Sequence, residues 1–138
     1  MRGSRVRGRK PNEIAAGSSP IGTVPRPPAW LSADAKREWK RVAPILVERG
    51  HLEDADLSIL ANCCDAFGTM VAMARKIETE GATIPNARGE LKRNPATGIK
   101  NEAAIRHKQL CAELGLTPVS RARSNFKVAN DDDLSFLD

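Results

Sequence analysis

The chain has 138 residues, 41% of them hydrophobic, enough for one folded unit that buries about two thirds of its unfolded surface. Lys and Arg number 22 against 17 Asp and Glu, a formal charge of +5 that favours a polyanionic partner. Three cysteines without disulfide-framework spacing point to a reducing cytoplasm, and neither a membrane span nor a secretory leader is expected.

The charge is unevenly spread. Residues 1–30 carry Arg2, Arg5, Arg7, Arg9, Lys10 and Arg26 against Glu13 alone, whereas residues 129–138 carry Asp131, Asp132, Asp133 and Asp138. The first 28 residues are rich in Arg, Gly, Ser and Pro and offer little to pack, so they are expected to be a disordered basic arm.

Order is expected to begin at residue 29. Ser32 is placed to cap a helix in which Trp39, Val42, Ala43 and Leu46 form one apolar stripe. Gly50 is a stop signal, and Pro44 inside the pattern predicts a kink or break. A longer helix is predicted from about Asp54 to Glu80, roughly 40 Å at 1.5 Å per residue. Its apolar face is Leu57, Leu60, Ala61, Cys64, Phe67, Gly68 and Val71, with Gly81 as its end. That length suits an antiparallel hairpin with its neighbours or a subunit interface.

Residues 82–93 lose the helical period and read as an extended excursion with a small hairpin around Ala87, Arg88 and Gly89. Asn94-Pro95 is a cap followed by a first-turn proline, opening a third helix that buries Ile99, Ala103, Leu110, Cys111 and Leu114. Gly115 ends it in a left-handed turn, with Leu116 packing back, and Thr117-Pro118 starts a short helix through Arg123. The expected architecture is all-α: a long antiparallel helical hairpin, a third helix and a short terminal helix. The folded and oligomerising part spans residues 29–125, between the basic arm over 1–28 and an acidic tail over 126–138.

Catalytic constellations are missing. There is no phosphate-binding loop and no dinucleotide fingerprint. His51 and His107 are the only histidines available to activate Cys63 or Cys64, and nothing in the spacing brings them together. His107 and Cys111 share a helical face and could meet Cys63 and Cys64 across a hairpin. Adjacent cysteines, however, point about 100° apart on a helix and cannot both converge on one tetrahedral ion. The two are therefore expected to be small hydrophobes, one inward and one at the edge. Neither a metal nor another cofactor is expected.

Two segments are candidates for DNA contact. Arg2, Arg5, Arg7, Arg9 and Lys10 can neutralise phosphates and release counterions without regard to sequence. The low aromatic content disfavours stacking on single strands, so duplex DNA is the expected target. The second segment, LGLTPVSRARS over 114–124, has the outline of a helix-turn-helix. An apolar anchor is then needed about six residues after the turn glycine, and that position is Arg121, with Val119 too early. The stretch reads better as a helix stop and restart that places Arg121 and Arg123 on the surface of an assembly. A small helical DNA-binding transcription regulator is the alternative.

Taken together, PPAWLSADAKREWKRVAPIL, LEDADLSILANCCDAF, the Asn94-Pro95 helix start and LCAELGLTPVSRAR resemble the small subunit of phage terminase over about residues 27–124. Two positions depart from that pattern. Glu53 stands where a threonine cap is common, and Gly98 is expected to delay the start of the third helix. The resemblance implies a non-catalytic DNA-packaging factor in the cytoplasm of the infected bacterium. It also implies a homo-oligomeric ring that recognises double-stranded viral DNA and passes it to the large subunit, which holds the ATPase and nuclease. Asp131, Asp132, Asp133, Leu134, Phe136 and Leu137 of the acidic tail are then candidates for docking on that large subunit.

Overall fold

The computed structural model describes residues 19–122. Helix α1, Ala33–Glu48, starts where Ser32 accepts the Ala35 amide at 3.2 Å, with Asp34 in the positive first turn. It buries Ala35, Trp39, Val42, Ala43 and Leu46, and also Glu38. The helix runs through Pro44 rather than breaking there. Pro44 and Lys40 both face solvent, so the carbonyl that loses its intrahelical partner is hydrated. Gly50, at φ 66°, closes α1: its amide reaches Val47 O and that of His51 reaches Leu46 O.

A 3-10 turn over Asp54–Asp56 leads into α2, Leu57–Glu80. Glu53 is the N-cap residue of this turn: Asp56 accepts the Glu53 amide at 3.0 Å, and the Glu53 carboxylate accepts the Ser19 amide at 2.9 Å. Cys63 and Cys64 are both buried, which corrects the expectation that one lies at an edge. Helix α2 packs on α1 through one flank and on α3 through another, so two directions about 100° apart are both interior. By length and composition the Asp54–Glu80 segment also passes for a membrane span, against the expectation from sequence. Its packing against α1 and α3 buries a third of that apolar window.

The chain then forms a two-stranded antiparallel ribbon, β1 over Thr83–Pro85 and β2 over Leu91–Arg93, with Ile84 opposite Lys92. The fold is therefore mostly helical with a small sheet, not all-α. Helix α3, Pro95–Glu113, starts directly after Asn94, so Gly98 does not delay it. Asn94 is buried and works on both sides of the junction. Its Oδ1 accepts the Ala96 amide at 3.0 Å, while Nδ2 donates to Gly81 O at 2.9 Å and to Glu80 Oε2 at 3.1 Å. Gly115, at φ 69°, ends α3, with the Leu116 amide on Cys111 O and the Gly115 amide on Ala112 O. Helical conformation resumes over 118–122.

The long antiparallel pair is α2 with α3. Asn94 meets Gly81 at the ribbon end, His107 stacks beside Phe67, and Cys111 touches Cys63 toward the other end. On α3 the buried positions are Ala96 and Ala103, whereas Ile99 is 46% exposed and leaves the face assigned to it. Helix α1 closes against α2 at Gly68. A Cβ there would stand 2.7 Å from Ser32 Oγ and 3.0 Å from Ala35 Cβ. Only a glycine allows the helices to approach this closely.

Residues 19–28, assigned from sequence to the arm, lie against this bundle. Ile21 packs on the core and donates its amide to Leu52 O at 2.7 Å, and the Trp39 indole N–H donates to Pro25 O at 2.9 Å. The isolated apolar residues of this proline-rich stretch are what the strap uses.

Candidate functional site

Of the candidate DNA-contacting residues, Arg121 is the one within the described residues. Arg2, Arg5, Arg7, Arg9, Lys10 and Arg123 lie outside them, as do Asp131, Asp132, Asp133, Leu134, Phe136 and Leu137 of the tail. Arg121 follows the turn at Gly115, which folds the chain end back toward α1. Its Nη1 donates to Leu116 O at 3.2 Å, and its backbone amide to Thr117 O at 3.1 Å. Thr117 starts this last turn as expected, accepting the Ser120 amide through Oγ1 at 3.2 Å.

Arg121 lies on one wall of a cleft of about 400 Å³ between α1 and the end of α3. Arg41 and Arg49 line it from α1, and Lys108 and His107 from α3. Four permanent cations therefore face one carboxylate, Glu38. Glu38 is buried and bidentate to Arg41, Nε to Oε2 at 3.0 Å with Nη2 on Oε1. That pair fixes the Arg41 guanidinium at the cleft and raises its pKa further. Arg49 and Lys108 make no ion pair among the described residues. The stripe Arg41, Ile45, Arg49 has i, i+4, i+8 spacing and was legible in the sequence. Its meeting with Lys108 and Arg121 was not, because it depends on how α3 crosses α1. A second basic surface is the ribbon, where Arg88, Lys92 and Arg93 are exposed beside Leu91.

Beneath the cleft, Cys63 Sγ lies 3.6 Å from Cys111 Sγ, and Cys111 Sγ lies 3.3 Å from His107 Nε2. The His107 ring is held against Phe67 with centroids 5.5 Å apart. The Cys63 contact, helped by His107 and opposed by burial, draws the Cys111 thiol down to about 5. The same contact and burial push Cys63 up, and His107 rises because its Cys111 partner outweighs partial burial. Cys64, turned away from this group, is pushed up to about 12 by burial. Sequence reasoning placed His107 and Cys111 on one face. It dismissed the group because Cys63 and Cys64 cannot converge together, yet Cys63 alone joins the other two.

A helical hairpin with a capped α1, a Gly115 turn and a basic cleft at its end agrees with the resemblance drawn from sequence. A family model described as phage terminase, small subunit, matches residues 35–131, more than half of the chain. The chain belongs to the phage terminase small-subunit family. No curated protein and no solved structure matches it significantly. Membership gives this terminase small subunit a role in phage DNA packaging, in a family that is generally non-catalytic and that works with DNA and a large subunit. The match spans α1, α2, the ribbon and α3, so it covers every helix that builds the cleft.

Proposed function

We propose that this small subunit is a non-catalytic, homo-oligomeric adaptor in the cytoplasm of the infected bacterium. It binds double-stranded viral DNA, recognises the genome, and recruits or regulates the large ATPase and nuclease subunit. The observation that carries the DNA-binding part is the convergence of Arg41, Arg49, Lys108 and Arg121 on one cleft, with a single carboxylate among them. Such a surface accepts phosphates, and the basic arm adds counterion release that is indifferent to sequence. Assembly is supported by apolar side chains that the bundle leaves uncovered, Ile59 on α2 and Ile99 and Ile105 on α3. The acidic, Phe- and Leu-bearing tail suits a basic groove on the large subunit.

Light scattering coupled to sizing tests assembly: a species of many subunits is expected, and a monomer at micromolar concentration contradicts it. For the arm, the informative truncation removes residues 1–18, because residues 19–28 are bonded to the bundle. Weaker binding to all duplex sequences alike is expected, and unchanged affinity removes the arm from the mechanism.

A further inference from the structure

We propose that Cys63, His107 and Cys111 form a binding site for one Zn²⁺ ion that clamps α2 to α3 beneath the basic cleft. Their donor atoms all lie within 4.8 Å of one another. Zinc bonds of about 2.3 Å to thiolate and about 2.0–2.1 Å to imidazole, at the tetrahedral angle, place two sulfurs roughly 3.8 Å apart and sulfur and nitrogen roughly 3.6 Å apart. The observed separations are 3.6 Å between the sulfurs and 3.3 Å from Cys111 Sγ to His107 Nε2. Admitting the ion takes a slight opening of these two pairs and an approach of Cys63 and His107, whose donors lie within 4.8 Å, whereas a disulfide would require the sulfurs to close to about 2.05 Å.

The donor set also selects the ion. Two thiolates and an imidazole suit a soft or borderline metal and disfavour Mg²⁺ and Ca²⁺, which take oxygen ligands. On binding, Cys63 and Cys111 coordinate as thiolates and release their protons to solvent, while His107 coordinates as the neutral ring. No electron moves. His107 and Cys111 also line the cleft, so the fourth tetrahedral position opens there and takes water. The ring contact with Phe67 fixes the imidazole before the metal arrives. Cys63 and Cys111 are 48 residues apart, so the ion closes a long loop containing the ribbon.

The site differs from the family's packaging role and does not depend on the proposed DNA contacts. Its test is a titration of the full chain, kept reduced with a phosphine, with Co²⁺ followed by Zn²⁺. One Co²⁺ per chain is expected, with the visible bands of a tetrahedral ion and a near-ultraviolet thiolate charge-transfer band, both lost when Zn²⁺ displaces it. Zn²⁺ is also expected to raise the melting temperature. Cys64→Ser should leave the spectrum intact, whereas Cys111→Ser and His107→Ala should each weaken binding about tenfold or more. Cys111 is half-buried, so its serine variant is expected to fold, and the wild-type spectrum reports the donor set without any variant. Absence of binding under reducing conditions overturns the proposal. So does a spectrum without thiolate charge transfer, which would place the metal on carboxylates, or binding that survives both ligand variants.

Discussion

The two seams of the bundle are built differently. Between α1 and α2 the contact rests on shape: Trp39, Leu46 and Leu60 fill the interior, and Gly68 lets α2 approach the Ser32 cap. Between α2 and α3 the interior of α3 is alanine, and the seam is held at its ends by Asn94 and by the Cys63, His107 and Cys111 group. The first seam is stabilised by large apolar side chains, the second by close packing of smaller ones with directed contacts at its ends. Substitutions in the first should therefore lower global stability, and those in the second should loosen one end of the hairpin.

Trp39→Ala should have the largest effect. It leaves a large cavity and removes the bond to Pro25 O, so urea unfolding is expected to show a loss of about 3–5 kcal/mol. A loss below 1 kcal/mol, roughly the scale of a surface substitution, would remove the shape argument for that seam. Asn94→Ala comes next at about 2–3 kcal/mol, because it deletes a helix cap and leaves Gly81 O without its side-chain donor. Hydrogen exchange should rise first at the ribbon and the start of α3 and leave α1 protected. Uniform loss of protection would mean that the two seams are not separable.

Gly68→Ala sets two effects against each other. Alanine favours the helix by about 1 kcal/mol. Its methyl group meets Ser32 Oγ and the Ala35 backbone, an overpacking cost of about 1–3 kcal/mol, so net destabilisation near 1 kcal/mol is expected from thermal melts. A stabilised variant would show that α1 can slide away.

The smallest effect concerns acid. Arg75 binds Asp34 through two bonds of 2.6 and 3.0 Å, and this contact first, with Arg37 adding, holds the Asp34 carboxyl below its ordinary 3.8. A depressed carboxyl stabilises the fold above its unfolded pKa and ceases to do so as pH falls through the folded one. Arg75 is 59% exposed, so salt screens the pair. Arg75→Ala should cost a little stability at neutral pH, a loss that fades as pH falls below 3.8, so the profile there is slightly flatter. An equal loss at both would assign Arg75 a packing role.

Much of α1 and α2 was legible because their apolar residues recur at helical spacing and Ser32, Gly50 and Gly81 mark the ends. Helix α3 was legible at its caps and over its second half, where Ala103 and Leu114 are buried and Leu110 and Cys111 pack on the core, but not at Ile99. Its interior positions are small, so Ile99 looked like a core residue although the ribbon-end crossing leaves it in solvent. Pro44 failed as a breaker because its carbonyl partner is solvated, and the strap over residues 19–28 hid behind a composition typical of tails. The basic cleft joins residues from Arg41 to Arg121, and the thiol group joins residues 48 apart. Neither has local spacing that could announce it, although Arg41 with Arg49 and His107 with Cys111 each showed half of the arrangement.

The most direct test of the DNA-binding account is the affinity of the full chain for a genomic duplex of its own phage, measured by fluorescence anisotropy across a salt series. The comparison is with a variant carrying Arg49→Ala, Lys108→Ala and Arg121→Ala. Weaker binding to every duplex is expected, with the slope of log affinity against log salt shallower by about two to three. Unchanged affinity and slope would contradict the account and leave the cleft without a part in holding DNA.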